Sequence, residues 1–434
     1  MRPRRCEKYS AFFVSPRGAS GIALYLIESY QERILENLSP WIQVNTCCKK
    51  KGNQKMKKIV TMLLMLAMLL MLAACAGAPE AAPAASQADE TAAASTVSEE
   101  TTPERRVITD SMDRNVEIPY SVERIVCVGV GALRYTCYVG GADRVVGVED
   151  YETKPGMSRL YNYVNFDLFQ NLPVTGTNGE PFVEEIINVD PQVIVMSSYA
   201  SQDPDELSQK TGIPVVVVPG SDTTLDEKAY VTIRILGELY QLEDRAEDLT
   251  AYLKSIQKDL DDRTASIAED AKPTCYVGGV SFKGHHGFEG TEAYYGPFEL
   301  IHAKNLANTT GQTGAFNIDV EQVLSWDPEI IFLDFNGMNL INEDYGAHPE
   351  FYKALTAVQE GKVYSQISFR SSASNLETAL ADAYYAACVM YPQQFQDIDP
   401  VEKAGEIFTK LLGSNPYHDL EEAGYAFCQI TIGA

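Results

Sequence analysis

The chain has 434 residues, and its 60 acidic against 35 basic side chains give a formal net charge of −25. From residue 75 onward the imbalance is larger still, with 56 acidic against 23 basic residues. This charge argues against nucleic acid as a partner, because phosphate binding requires a basic face. About 330 residues follow residue 105, more than one hydrophobic core usually organises, so we expect two domains.

Residues 56–75 combine a basic start, an apolar run and a cysteine. Two lysines precede the run 59–72, which closes on Leu72-Ala73-Ala74-Cys75. This order is typical of a secretory signal, and the run is shorter than the roughly 20 residues that span a bilayer. The pattern resembles the lipobox of bacterial lipoproteins, whose cysteine is lipidated and becomes the mature N-terminus. The resemblance implies lipidation at Cys75 and an extracytoplasmic protein anchored to the cell membrane.

The segments on either side of this signal are predicted not to belong to the folded body. Residues 1–55 precede a signal that works only at an N-terminus, so we interpret them as an extension from a mis-assigned start. A genuine cytoplasmic extension is the alternative. Residues 76–105 are rich in Ala, Ser, Thr, Pro and Glu and contain no aromatic residue. Such a segment cannot bury enough apolar surface to fold, so we expect a disordered linker.

Short β-branched runs alternate with helical stretches from residue 106 onward. The runs occupy residues 124–128, 192–196, 213–218, 274–277, 329–333 and 362–364. Continuous apolar strands separated by helices indicate mainly parallel sheets that are covered on both faces. The predicted fold class is therefore α/β.

An internal repeat indicates that this fold is built twice. Residues 182–194 and 319–331 each read as a short helix, an Asp-Pro pair that ends it, and a buried strand. We therefore predict two similar α/β lobes, an N-terminal one over 106–240 and a C-terminal one over 271–434.

A long helical stretch separates the two lobes. Residues 225–240 are amphipathic, and apolar residues continue at helical spacing over 242–267. We predict one interlobe helix within 241–270. A helix of about 25 residues would span roughly 38 Å and form a rigid spine.

These features together resemble the ABC-transporter substrate-binding proteins that carry ferric siderophores, haem and cobalamin, the class III family with a helical spine. The motifs at 122–126 and 141–148 also match, and the resemblance covers roughly 106–434. It implies reversible capture of cargo and its delivery to an ABC permease and its ATPase, by a monomer without a cofactor of its own. It also implies that Glu184 and Glu321, equivalent in the repeat, dock onto arginines of the permease.

Cargo in this family lies in the crevice between the lobes. In open α/β sheets the crevice faces the carboxyl ends of the strands, so the loops after Val128, Met196, Val277 and Leu333 should reach it. All five histidines follow residue 284, so the first lobe offers other side chains. The first-lobe candidates are Arg134, Tyr135, Glu149, Asp150, Ser197, Ser198 and Tyr199.

The segment 278–296 is rich in glycine and in side chains that bind metals. Its candidate cargo contacts are Lys283, His285, His286, Glu292, Tyr294 and Tyr295. Histidine, tyrosine and glutamate suit Fe(III), and histidine also suits nickel, cobalt or copper. A solvated loop without ligand is the alternative, and the two tyrosines are equally compatible with packing under a helix over 297–306.

A second candidate cleft loop spans residues 369–375. Arg370 could pair bidentately with a carboxylate or catecholate oxygen of a chelated metal. The alternative is a surface arginine that bonds the following helix, predicted over 375–391.

The cargo itself remains open at this point. A ferric siderophore, with Fe(III) carried as its chelate, is the leading prediction; haem, cobalamin and a nickel or cobalt chelate are the alternatives. An extracytoplasmic ligand sensor would use the same architecture. No enzyme is expected, since P-loop, GxSxG and HExxH motifs are absent; a metal-dependent enzyme using His285 with Glu289 or Glu292 is the weaker alternative.

The cysteines of the folded part form no CxxC pair. Their odd number and apolar contexts predict buried free thiols rather than a disulfide framework or zinc site. These cysteines are Cys127, Cys137, Cys275, Cys388 and Cys428.

Overall fold

The computed structural model describes residues 104–220 and 224–433. All of these residues belong to one compact unit, which contains two α/β lobes. The predicted upstream extension, the signal with Cys75 and nearly all of the predicted linker lie outside the described residues. In the ranges that are described, no helix combines the length and the apolar character needed to cross a membrane.

A hairpin and a six-stranded sheet form the framework of the first lobe. The hairpin pairs β1 (Arg105–Thr109) with β2 (Asn115–Pro119). The sheet has the order β6-β5-β4-β3-β7-β8 and is parallel except between β5 and β6. Its strands are β3 (Ile125–Val128), β4 (Val145–Glu149), β5 (Val174–Thr177), β6 (Glu180–Pro181), β7 (Val193–Ser197) and β8 (Val215–Val218).

Five helices accompany this sheet. They are α1 (Ala132–Val139), α2 (Leu160–Val164), α3 (Phe166–Phe169), α4 (Val183–Asn188) and α5 (Pro204–Thr211). The sequence sets both ends of α5: the Asp203 carboxylate accepts from two N–H groups of the first turn, and Gly212 ends the helix in the left-handed region.

Two consecutive helices connect the lobes, α6 (Glu227–Tyr240) and α7 (Glu243–Thr264). Asp226 caps α6, and Gln241 breaks the helix with a φ of 56°. The 22 residues of α7 span about 33 Å at 1.5 Å per residue. Its buried side chains recur every three or four residues, from Ala246 through Leu249 and Leu253 to Leu260. This stripe fixes α7 against both lobes as a spine.

The second lobe has a four-stranded parallel sheet of order β11-β9-β13-β14 and a separate antiparallel pair, β10 with β12. The strands are β9 (Thr274–Gly278), β10 (Gly290–Ala293), β11 (Lys304–Asn305), β12 (Gly314–Asn317), β13 (Ile330–Asp334) and β14 (Val363–Gln366).

The helices of the second lobe surround this sheet. They are α8 (Gly296–Glu299), α9 (Val320–Trp326), α10 (Met338–Ala347), α11 (Pro349–Ala354), α12 (Thr356–Gln359), α13 (Leu376–Met390), α14 (Pro400–Leu412) and α15 (Tyr417–Glu422). Helix α13 is rich in alanine and is buried around almost its whole circumference, as expected of a central helix.

The predicted repeat adopts the same local structure twice. Helix α4 leads into β7, and helix α9 leads into β13. Between helix and strand, Asp190 and Asp327 take nearly the same left-handed conformation, with φ values of 48° and 45°. Each turn is followed by a proline and a buried parallel strand, so the α/β fold with mainly parallel sheets is confirmed.

Two local predictions are wrong. The helix expected over 297–306 ends at Glu299, because His302 turns left-handed with a φ of 52° and the Ala303 N–H closes onto the Phe298 carbonyl. The chain then joins the sheet edge as β11. The segment 278–296 is not one loop either, since residues 290–293 within it form β10.

The thiol prediction holds at four positions and fails at one. Cys127, Cys137 and Cys275 are buried free thiols, and Cys388 is a partly buried one. Burial raises the pKa of Cys127 to about 12, so this thiol stays protonated and inert. Cys428 is disulfide-bonded, which the odd number of cysteines in the folded part did not indicate.

One hydrophobic core runs through both lobes and the spine. Tyr138 of the first lobe, Leu249 of α7, and Phe332 and Tyr384 of the second lobe belong to the same buried cluster. The lobes therefore share packed surface rather than only a covalent connection.

Candidate functional site

The carboxyl ends of the parallel strands in the second lobe carry three polar loops. They follow β9, β13 and β14 and occupy residues 279–289, 335–337 and 367–375. Parallel strands end at the same edge of a sheet, which is where ligands of open α/β sheets bind.

An ion pair links two of the predicted residues at this edge. The Arg370 guanidinium donates from Nε to Glu292 Oε2 at 3.0 Å and from Nη2 to Oε1. The Glu292 side chain is 1% exposed, whereas that of Arg370 is 22% exposed. Burial raises the pKa of Glu292, and the adjacent guanidinium opposes that rise. The pair therefore has its negative end in the protein and its positive end toward solvent.

Arg370 opens onto a cavity of about 870 Å³ between α7 and the second lobe. Thr224 from the end of the first lobe contributes to the wall, as do Glu292, Tyr294, Lys254 and Lys258. The volume lies within the range of small-molecule sites. Three of the predicted contacts, Glu292, Tyr294 and Arg370, thus meet at one cavity.

The adjacent tyrosines Tyr294 and Tyr295 have opposite environments. Tyr294 is 51% exposed and adopts a left-handed φ of 58°, which is uncommon for an aromatic residue and is typical of ligand sites. Tyr295 is fully buried against Phe298 and Phe369, with ring centroids 4.8 and 5.2 Å apart. Tyr295 therefore belongs to the core and not to the cavity wall, contrary to its assignment as a cargo contact.

The loop 279–289, which carries His285 and His286 and is called the histidine loop below, lies apart from this cavity. His286 stacks on Phe282 with centroids 3.9 Å apart, and its Nε2 lies 2.9 Å from the Phe282 carbonyl oxygen. His285 is exposed beside Ser281, and Lys283 is also exposed. None of these three cavity candidates, Lys283, His285 or His286, lines the cavity around Arg370.

Metal-ligand groups are also sparse elsewhere. Across residues 104–220 and 224–433, no three His, Cys, Asp or Glu side chains are arranged to hold a metal ion.

Arg134 of the first lobe differs from its predicted role. It is 1% exposed, and its guanidinium bonds the second-lobe loop 371–375 rather than facing a cavity. Nη1 donates to the Ser374 carbonyl at 2.9 Å and Nε to Asn375 Oδ1 at 3.0 Å. Arg134 is a contact between the lobes, because its charge is fully engaged by the loop.

The other first-lobe candidates are mostly structural. Glu149 is buried and accepts from the N–H groups of Gly129 and Gly179 at 3.2 and 2.8 Å. Burial raises the pKa of Glu149, while these two donors oppose the rise. The Ser198 hydroxyl accepts from the Gly220 N–H, and Tyr199 is 41% exposed.

Three first-lobe candidates remain: Tyr135 and Ser197 are buried, and Asp150 is exposed.

A buried polar cluster beneath the second-lobe edge was missed. Asp334, at the end of β13, accepts from the Ser368 hydroxyl and the Asn336 N–H through Oδ1, and burial raises its pKa to about 7. Three buried atoms of this cluster have no hydrogen-bond partner among the described residues: Asp334 Oδ2, Asp382 Oδ2 and the Tyr295 hydroxyl. Only the position of Asp334 at a strand end could have identified it from the sequence.

The two predicted docking glutamates occupy equivalent, accessible positions. Glu184 and Glu321 are both exposed and both lie in the first turn of their helices, α4 and α9. Among the described residues neither carboxylate takes part in an ion pair. Both are therefore available to a cationic partner.

Comparison with known proteins identifies the family. The model of the periplasmic binding protein family matches residues 125–366, more than half of the chain. The molybdate-binding protein MolA of Haemophilus influenzae is 23% identical over 328 residues, covering 70% of this chain and 90% of MolA. An uncharacterised ABC transporter substrate-binding lipoprotein of Bacillus subtilis, YvrC, is 26% identical over 226 residues, or 52% and 67% of the two chains.

Solved structures show the same fold. A periplasmic solute-binding protein from Veillonella parvula superposes with a TM-score of 0.62 at 20% identity, covering 76% of this chain and 98% of that one. Molybdate-bound MolA gives a TM-score of 0.57 at 20% identity, covering 71% and 98%. The chain belongs to the periplasmic binding protein family and is a class III substrate-binding protein of an ABC transporter.

Proposed function

We propose that this protein captures an anionic metal chelate, most directly a ferric siderophore, in the cavity beside Arg370 and delivers it to an ABC permease. The observation that carries the proposal is the orientation of the Arg370–Glu292 pair. Its carboxylate is buried and its guanidinium borders the cavity, so the pair presents a fixed positive group to a ligand. A guanidinium suits carboxylate and catecholate oxygens, because its planar fork can donate two parallel hydrogen bonds.

The size and lining of the cavity support a chelate. Its volume of about 870 Å³ accommodates a drug-sized molecule. The exposed ring of Tyr294 offers an aromatic face for a planar chelator. The wall also carries Lys254 and Lys258, together with the carboxylates of Asp261 and Glu299, so Arg370 is the cationic group on which the proposal rests.

The family provides the rest of the proposed cycle. The partner is an ABC permease that works with its ATPase. We assign docking onto the permease to Glu184 and Glu321, because they are exposed at equivalent positions of the repeat. An extracytoplasmic location follows from membership of the periplasmic binding protein family. Lipidation at Cys75 is the proposed anchor; YvrC, a relative, is a lipoprotein. The protein is proposed to act as a monomer.

A tetrahedral oxyanion is the second candidate cargo. The observation that favours it is the relationship to MolA, whose name records molybdate binding. Arg370 would also suit an oxyanion, but the cavity is much larger than such an ion requires. The cavity volume therefore favours the chelate over the oxyanion as cargo.

Titration of a ligand panel tests both candidates. The panel contains a ferric tris-catecholate, a ferric tris-hydroxamate, haem, cyanocobalamin, a nickel–histidine complex and molybdate, monitored by quenching of intrinsic fluorescence. We expect a ferric complex to bind wild type, and Arg370→Gln to weaken it about 10- to 100-fold, the cost of one lost charged hydrogen-bond pair.

Arg234→Gln serves as the charge-matched control, because Arg234 is an exposed residue of α6 outside the cavity. The affinity of Arg234→Gln for the ferric complex should stay within twofold of wild type. If molybdate is the only member of the panel that binds, the oxyanion replaces the chelate as the proposed cargo. An unchanged affinity in Arg370→Gln would remove the cavity from the proposal.

A further inference from the structure

The loop that carries Arg370 holds an unfavourable backbone conformation. Ser372 and Ala373 are consecutive left-handed residues, with φ values of 54° and 65°. Neither is a glycine, and side chains with a Cβ disfavour this region. A bridge between Arg370 and Ser374 and the Asn375 N–H bond to the Phe369 carbonyl close the loop. Within the loop, Asn375 Nδ2 donates to the carbonyl oxygens of Phe369 and Ser371 at 2.9 and 3.0 Å. The carbonyl oxygens of Ser372 and Ser374 accept from a group outside the loop.

The stabilising group comes from the other lobe. Arg134 of α1 donates to the carbonyl oxygens of Ser371, at 3.1 Å, and Ser372 through Nη2, and to that of Ser374 through Nη1 at 2.9 Å. Its Nε donates to Asn375 Oδ1 at 3.0 Å. Three converging carbonyls and one amide oxygen thus surround a single guanidinium, whose rigid fork of donors matches such a set.

This contact is buried and specifically oriented. Arg134 is 1% exposed, and its guanidinium carbon lies 5.1 Å from the centroid of the Tyr161 ring. Converging carbonyls without a donor would be buried polar groups without partners, which is costly. The loop conformation therefore depends on the first lobe being seated against the second.

The same loop positions the cavity group. Arg370 directly precedes the residues 371–375 that Arg134 binds. Its Nε and Nη2 donate to Glu292, and its Nη1 donates to Ser374 Oγ at 3.1 Å. Ser374 is also the residue whose carbonyl Arg134 holds. A loosened loop would release Ser374 and with it the alignment of Arg370.

We propose that Arg134 is a positioning residue that makes the cargo-facing geometry of Arg370 conditional on contact between the two lobes. Separation of the lobes withdraws the guanidinium, the strained loop relaxes, and Arg370 loses its fixed orientation. Docking to a permease that parts the lobes would then also weaken the hold on cargo. The role in cargo release rests on the proposed function of Arg370, whereas the control of the loop does not.

The test measures the loop without cargo. Hydrogen exchange of the amides of 371–375 is compared in wild type, Arg134→Gln and Tyr138→Phe. Tyr138 also bridges the lobes, donating to Glu377 Oε2 and accepting from the Leu376 N–H, but it does not touch the loop carbonyls. We expect Arg134→Gln to accelerate exchange in the loop at least tenfold and Tyr138→Phe less than threefold. Equal acceleration by both variants, or none by Arg134→Gln, would overturn the proposal.

Two further variants separate positioning from general stabilisation. Arg134→Lys keeps the buried charge but replaces the three donor nitrogens of a planar fork by a single ammonium nitrogen with three N–H groups. It should therefore fold and still loosen the loop. Ala373→Gly removes the Cβ strain at a left-handed residue; combined with Arg134→Gln it should restore slow exchange at least partly. A loop that is as slow in Arg134→Lys as in wild type, or no rescue by Ala373→Gly, would contradict positioning.

Cargo affinity completes the test, with the ferric tris-catecholate as probe. If Arg134 acts through Arg370, the double variant Arg134→Lys/Arg370→Gln should bind no more weakly than Arg370→Gln alone. Additive losses would overturn the link to Arg370. If no ferric complex binds wild type while the loop still loosens, the proposed function fails and the control of the loop by Arg134 stands.

Discussion

The two lobes resemble each other on the face proposed for docking and differ at the cavity edge. Helices α4 and α9 present Glu184 and Glu321 in the same way and lead through the same left-handed Asp-Pro turn into a buried strand. At the ends of those strands the lobes diverge. Ser197 ends β7, and the equivalent residue at the end of β13 is Asp334, a buried carboxyl.

The divergence continues in the loops beyond the strands. In the first lobe, Glu149 binds backbone N–H groups and Arg134 binds the opposite lobe. In the second lobe, Arg370 and Tyr294 border a cavity. The lobes are thus alike on the face proposed to dock the permease and differ at the edge proposed to bind cargo. Cargo selection is therefore assigned to the second lobe.

The largest expected effect tests the shared face. Glu184→Arg and Glu321→Arg should each reduce cellular uptake of the cargo roughly a hundredfold, because like charges facing each other in an interface cost several kcal/mol. Cargo affinity of the purified variants should remain within twofold of wild type. Glu247→Arg is the matched control, because Glu247 is an exposed residue of α7; this variant should transport normally. If only one of the two variants loses uptake, the two lobes do not contribute equally to docking.

The next effect tests the strand ends. Because burial raises the pKa of Asp334 from 3.8 to about 7, the folded state binds its proton more tightly than the unfolded state. This contribution is complete below pH about 4 and is lost as the pH rises through about 7. At 1.36 kcal/mol per pKa unit the loss is at most about 4 kcal/mol. Asp334→Asn should flatten the decline of melting temperature between pH 4 and 8.

A control of opposite sign accompanies this measurement. The Arg263 guanidinium lowers the pKa of the exposed Asp397 to about 2, so its contribution disappears on acidification instead. Asp397→Asn should leave the decline between pH 4 and 8 in place. The same decline in Asp334→Asn as in wild type would show that Asp334 is not the group responsible.

A smaller effect concerns the histidine loop of the second lobe. The double variant His285→Ala/His286→Ala should change ferric-complex affinity less than threefold, because neither side chain lines the cavity and His286 is stacked on Phe282. The measurement is a titration at pH 5.5 and 7.5. A large loss at either pH would instead restore direct metal ligation by imidazole.

The smallest effect concerns movement between the lobes. The shared core and the α7 spine should limit closure, so small-angle scattering profiles with and without cargo should nearly coincide. A change that fits rotation by tens of degrees would show that the lobes move as independent domains around α7.

Local patterns in the sequence predicted most of the fold. The repeat, the β-branched runs and the apolar stripe of α7 each depend on neighbouring residues, so their periodicity suffices. The turn at His302 was not predictable, because a left-handed histidine carries no residue-type signal comparable to glycine. The pairing of β10 with β12 was missed for a related reason, since it joins segments separated by the intervening α8 and β11.

The site was predicted only in part. Arg370, Glu292 and Tyr294 were predicted from residue type and position after a strand, and the structure places all three at one cavity; their contact with cargo stays a prediction. The assignment of Arg134 failed because its partners lie about 240 residues away in the chain, a distance at which sequence pattern carries no contact information. Adjacent Tyr294 and Tyr295 face opposite environments, and only the packing of Phe298 and Phe369 decides which one is buried.

A crystal structure of the wild-type protein with the tightest-binding ferric complex tests the central claim most directly. The claim predicts chelator oxygens within about 3.2 Å of the Arg370 guanidinium nitrogens and the Tyr294 ring against the chelator. It also predicts that Arg134 remains bound to the 371–375 loop. A complex held mainly by Ser198 and Tyr199 of the first lobe, with no chelator atom near the Arg370 guanidinium, would contradict it.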